Sequence, residues 1–141
     1  MNITFDTAEF KQALQAKREQ ITAAARPAAQ AAAQVIYDQA RANVNVSKKG
    51  HWFHGTSFRK TGQKYWFEPG TLRNSIYQVY SKDNSSETKS TYHISWNYRE
   101  APYGFMVEMK KPFIGPAVHD RMDEALQAMK TTYIERVNNG I

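Results

Sequence analysis

Apolar residues recur at Phe10, Leu14, Ile21, Ala25, Ala28, Ala32, Val35 or Ile36, and Ala40, a spacing that keeps returning to one face of an α-helix. The pattern predicts a helix from about Thr7 to Asn43. Its start is marked by Asp6 as a cap, by Glu9 three residues later, and by Phe5 and Phe10, placed to form a hydrophobic staple. Pro27 removes a backbone donor and clashes with the preceding turn, which predicts a kink or break near Arg26. The Ala28–Ala33 run offers a narrow surface with little side-chain entropy to lose. It reads either as simple helix propensity or as a face for close helix approach, within a subunit or between subunits.

Beyond residue 68 the period changes to two. From Ser75 to Ser81, Tyr77 and Val79 alternate with Ile76 and Tyr80; from Thr91 to Asn97, Tyr92, Ile94 and Trp96 alternate with Thr91, His93 and Ser95. Aromatic and β-branched residues in this register predict two strands. The polar stretch Lys82 to Lys89 between them predicts an antiparallel hairpin. The apolar run Phe105 to Met109 reads as a third strand. A helical period then resumes from about Pro116 to Val137, with Val118, Met122, Ala125, Met129, Tyr133 and Val137 in one stripe. Pro116 suits the first helical position, and Asn139-Gly140 suits the stop. The order gives an α+β fold: a long N-terminal helix, an antiparallel sheet of about three to four strands, and a C-terminal helix packed on the sheet. The 141 residues form a single domain.

Residues 45–68 break the pattern. They mix glycines with Lys, Arg, His and large aromatics, and no period is visible until Tyr65-Trp66-Phe67. A structureless loop of this length is uncommon in a compact domain. The stretch therefore either folds partly as a hairpin or is an extended arm that orders against a partner; the cost of leaving so many rings in water favours the arm. The net charge of +6 is concentrated here, with Lys48, Lys49, Arg59, Lys60 and Lys64 set against the single Glu68. Such a patch suits DNA phosphates or an acidic protein face. Trp52, Phe53, His54, Trp66 and Phe67 are candidate interface residues on the same arm.

Other composition narrows the field. There are no cysteines, hence neither a disulfide nor a thiolate metal site, which fits a reducing cytoplasm. The first residues lack the basic region and apolar core of a signal peptide. No apolar run approaches the roughly 18–20 residues that span a bilayer. His51 and His54 have a spacing that binds metal on a helix, but glycines bracket the segment and no third ligand is near. His51, His54, His93 and His119 beside lysines carry the rival reading, a small basic ribonuclease, although nothing in the sequence fixes their mutual geometry. No cofactor is implied. Glu108, in an apolar run, calls for a partner, with Arg73 and Arg121 as candidates; it reads either as half of an intersubunit ion pair or as an exposed strand residue.

Three segments in order carry a family resemblance: Pro69-Gly70-Thr71-Leu72-Arg73-Asn74-Ser75-Ile76, then Tyr103 through Val107-Glu108, then Pro112-Phe113-Ile114-Gly115-Pro116-Ala117. The chain resembles the small tail-completion, or head–tail joining, proteins of long-tailed bacteriophages, the group of the lambdoid minor tail protein Z type. Met109-Lys110 stands where that pattern has Phe-Gly, and residues 48–68 are longer and more aromatic than its loop. The resemblance implies a non-enzymatic virion protein of the phage neck and tail, assembled in the host cytoplasm. It implies a homo-oligomeric ring, a hexamer matching the tail tube, contacting the tail tube protein and the head-closure or connector proteins, with genomic DNA passing through it without sequence recognition.

Overall fold

The computed structural model describes residues 1–55 and 58–139. The chain runs α1 (Ala8–Asn43), β1 (His51–Phe53), α2 (Phe58–Thr61), β2 (Tyr65–Phe67), α3 (Thr71–Ser75), β3 (Ile76–Tyr80), β4 (Tyr92–Trp96), α4 (Gly104–Lys110) and α5 (Ile114–Asn138). The fold is α+β, as the periodicity predicts. Among the described residues, four strands form two separate antiparallel hairpins, β1–β2 and β3–β4. No helix among the described residues is long and apolar enough to cross a membrane.

α1 begins where the sequence places it, and the Asp6 carboxylate accepts the Ala8 N–H at 2.9 Å. The expected staple does not close, because Phe5 and Phe10 both stand in solvent. Nor does the helix break at Pro27; it runs unbroken for 36 residues. The carbonyl that loses its donor belongs to Ala23, on an exposed turn where water can satisfy it. The alanine face is a close-approach surface within the chain: Ala24, Ala28, Ala33 and Ala40 are buried, and Ala40 and Ile36 share one cluster with Ala117 and Ala125 of α5. The two helices are antiparallel, since the Arg121 guanidinium donates to Gln39 Oε1 at 2.8 Å while Met129, Tyr133 and Ile134 lie beside Ala25 and Ala29.

The second hairpin follows its predicted alternation. Ile76 opposes Trp96, Gln78 opposes Ile94 and Tyr80 opposes Tyr92 on the covered face, while Tyr77 and Val79 point to solvent. It lies against α1, with the Arg26 guanidinium 3.9 Å over the Tyr80 ring. Ile94 also touches the α1–α5 cluster, so the sheet and both long helices share one interior. Gly70, with φ of 83°, supplies the left-handed turn that opens α3, and α3 feeds directly into β3.

Two further sequence expectations differ from the structure. Residues 105–109 are helical, not a strand; a short apolar run carries no period to separate the two. Gly104 is buried at the start of α4 and makes room for the Trp96 indole, which any Cβ there would overlap. The stripe expected on α5 packs only in part. Ala125 is buried and Tyr133 and Val137 are half-buried, joined by buried Ala117 and half-buried Arg121 towards α1, while Val118, Met122 and Met129 at the margin of that face remain exposed. Small residues win the contact because they let two backbones approach closely. The helix closes with the Asn139 N–H bonded to the Glu135 carbonyl at 3.0 Å; the expected Gly140 stop lies outside the described residues.

Candidate assembly surface

The basic-aromatic stretch is a hairpin with two faces. β1 and β2 pair His51 with Phe67, Trp52 with Trp66 and Phe53 with Tyr65. Period two sends Phe53 and Phe67 inward, where both pack on the Tyr103 ring, at 5.9 and 4.8 Å between centroids. His51 meets the same ring edge-on at 4.9 Å. Tyr103 thus seats the hairpin on the core formed by Val44, Leu72, Ile76, Ala101 and Phe113. Burial pushes the Tyr103 phenol above its usual pKa, and a hydrogen bond with the Leu72 backbone opposes the shift. A raised phenol pKa disfavours ionisation in the fold, so the stability it protects is present below about pH 10 and is lost as pH rises past it. Thermal melts should fall on the alkaline side of pH 10, and less steeply in Tyr103→Phe; equal slopes in the two proteins would count against this account.

The other face carries Trp52 and Trp66, 52% and 47% exposed, edge to face at 5.3 Å. Lys64 Nζ sits 4.5 Å over the Trp52 ring, and Trp66 Nε1 donates to Glu68 at 2.8 Å. Lys48, Lys49, Arg59 and Lys60 are all exposed around it. His54 turns away and stacks on Phe58, ring centroids 4.1 Å apart. Between this hairpin and the Tyr98–Met106 segment lies a groove of about 670 Å³, lined chiefly by Phe53, Trp66, Pro102, Phe105 and Met106, with Arg99 at its rim.

Glu108 has partners that sequence reasoning missed. One of its oxygens accepts the Phe113 and Ile114 N–H groups at 2.8 and 3.2 Å, and the other accepts the Gly115 N–H at 3.2 Å. It therefore caps the start of α5, satisfying donors that no helical carbonyl can reach and placing negative charge at the positive end of the helix. Within the chain Glu108 pairs with neither candidate arginine: Arg121 bonds to Gln39 and Glu124, and Arg73 is exposed on α3. The missed signal was the separation of five to seven residues between Glu108 and Phe113, Ile114 and Gly115, within reach of a side chain across one tight corner.

The histidines do not converge. His51 begins β1 and His54 follows its other end, with different ring partners, His93 is exposed on β4, and His119 is exposed on α5 beside Asp120. Among the described residues no group of three or more His, Asp or Glu could hold a metal ion.

No protein-family model, curated protein or solved structure matches the chain.

Proposed function

We propose that this chain is a structural protein of a phage neck and tail, assembling as a homo-oligomeric ring that completes the tail and joins it to the head. The observation that carries the reading is the ordered set of motifs, each of which falls at a joint of the fold. Gly70 to Ile76 turns the chain into β3, Tyr103 seats the hairpin, and Pro112 to Ala117 leads into α5 under the Glu108 cap. The reading also draws support from the apolar surface that one copy leaves uncovered. Trp52, Trp66, Phe10, Leu14, Met122 and Leu126 are all at least two-fifths exposed, which is costly unless another surface meets them. A ring repeats one heterologous contact around an axis and so uses two different patches on each copy.

The test is addition of purified protein to isolated tails and to head connectors, followed by negative-stain imaging. A ring at the head-proximal tail end is the expected result; failure to add to either particle would overturn the proposal.

The exposed Trp52–Trp66 pair beside Lys64 favours a second reading, a nonspecific nucleic-acid-binding module, since cations meet phosphate and rings stack on bases. Affinity for single-stranded DNA that falls steeply with salt supports it, and a flat salt titration removes it.

A further inference from the structure

A cavity of about 280 Å³ opens where the end of α1, the first hairpin, α3 and α4 meet. Its apolar wall belongs to the core: Val44, Leu72 and Tyr103 are buried, and Val107 packs against them. Its border also holds two cations from different parts of the chain, Arg73 on α3 and Lys111 just past α4.

The other polar groups around the cavity are mostly engaged. Asn43 donates to the Phe113 carbonyl at 3.1 Å and accepts from Gln39 at 2.7 Å, and the Ser47 hydroxyl donates to the Lys49 carbonyl at 2.7 Å. Glu68 is the one carboxylate among the described lining residues, and it accepts the Trp66 Nε1–H at 2.8 Å. Arg73 and Lys111 differ. Among the described residues neither side chain has a hydrogen bond or an ion pair, with Glu68 or with any other group. Arg73 also borders Asp38 and Arg41, but Asp38 accepts the Gln34 amide at 2.9 Å and Arg41 donates to the Tyr37 hydroxyl at 3.3 Å. Like charges gathered at one hollow repel each other, and an apolar wall strengthens the repulsion by keeping water from one side. An anion in the hollow turns both contributions favourable.

The donors narrow the choice of anion. A guanidinium presents a planar fork that fits two oxygens of a phosphate, and an ammonium serves as a point charge beside it. Together they suit a phosphate monoester, which carries about −1.5 to −2 near neutral pH, whereas a carboxylate would leave one cation unanswered. Asn45 and His51, also on the border, add neutral donors. The cavity is at the small end of ligand pockets, which run from about 300 to 1,000 Å³, so it suits a phosphate group better than a whole nucleotide.

We propose that the cavity bounded by Tyr103, Arg73 and Lys111 binds a phosphate group, borne by a small phosphate or by the 5′ end of a nucleic-acid strand. The site depends on neither the neck reading nor the nucleic-acid reading, and its failure would leave both in place.

The test is a titration of the isotope-labelled full-length protein at constant ionic strength, followed by its amide and arginine side-chain NMR signals. Inorganic phosphate should bind saturably, moving the Arg73 Nε–H signal and the amides of residues 70–73 and 111. Acetate should bind more weakly. Arg73→Ala and Lys111→Ala should each weaken phosphate binding about tenfold or more, the loss of one charge-assisted hydrogen bond. Arg73→Lys, which keeps the charge and loses the fork, should fall between. Lys60→Ala and Lys82→Ala remove the same charge from exposed positions outside the cavity and should change nothing. A thymidine oligomer that binds more tightly with a 5′-phosphate than without one assigns the site to strand ends; no difference between the two, alongside saturable inorganic phosphate, assigns it to a small phosphate. Shifts that grow without saturating, equal affinity for acetate, or equal losses in Lys60→Ala would reveal diffuse attraction to the net positive charge and overturn the proposal.

Discussion

Phe113→Ala should cost about 3–5 kcal/mol of folding stability, the range for truncating a buried aromatic ring. Phe113 is the largest side chain with no exposed surface, and it packs edge-on against Trp96 at 5.7 Å within the cluster of Val44, Leu72, Ile76, Ala101 and Tyr103. Its backbone is engaged as well: the carbonyl accepts from Asn43 Nδ2 at 3.1 Å, tying the end of α1 to the start of α5. The side chain therefore fills the point where α1, β4 and α5 meet, and alanine would leave a cavity that three braced elements cannot collapse to fill. Against a total stability of roughly 5–15 kcal/mol, such a loss is a large fraction. Urea unfolding should show a lower midpoint at an unchanged slope. Phe113→Leu, which keeps most of the volume, should lose well under half as much. A loss below about 1 kcal/mol for the alanine variant would mean that Phe113 is not at the centre of the core.

Glu108→Ala should cost about 2 kcal/mol, because it removes a charged cap and strands N–H groups at a half-buried helix start. Glu108→Gln keeps an acceptor oxygen without the charge and should lose about half of that. The discriminating control is at the arginines. If Glu108 acted by ion pairing with Arg73 or Arg121, replacing that arginine would reproduce the loss and make the glutamate change additive to nothing. The cap predicts instead that Glu108→Ala costs the same in the Arg73→Ala and Arg121→Ala backgrounds. Amide exchange at residues 113–115 should accelerate in Glu108→Ala ahead of global unfolding; unchanged exchange there would exclude the capping role.

The long helix and the β3–β4 hairpin were legible because each has many residues in one period. Tyr92, Ile94 and Trp96 repeat a single signal, and tertiary packing had only to agree with it. Residues 105–109 were not legible in this way, because a five-residue apolar run carries too few turns to separate a helical period from a strand. The first hairpin was hidden by its three-residue strands, too short to show alternation beside the glycines. On α5 the period was right and the face was offset, with Ala125, Tyr133 and Val137 covered and Val118, Met122 and Met129 left at its exposed margin. Hydrophobicity ranks Met122 above Ala117, yet the helix opposite is lined with alanine and admits only a small partner. Of the candidate surface, the outward Trp52 and Trp66 and the exposed cations could be anticipated from residue type. The inward role of Phe53 and Phe67, and the turning of Glu108 onto backbone donors, depend on Tyr103 and on the α4–α5 corner, and only three dimensions bring these together.

The unequal lengths of α1 and α5 make one continuous helix into two thermodynamic objects. Its last turns are buried against α5 and open only when the whole domain does. Its first turns have no packed face and are held by backbone hydrogen bonds to the turns that follow, so they open by fraying, well before the packed turns do. Anything that covers those first turns adds ordered helix without disturbing the core, so the free and assembled chain can differ in secondary structure while sharing one tertiary structure.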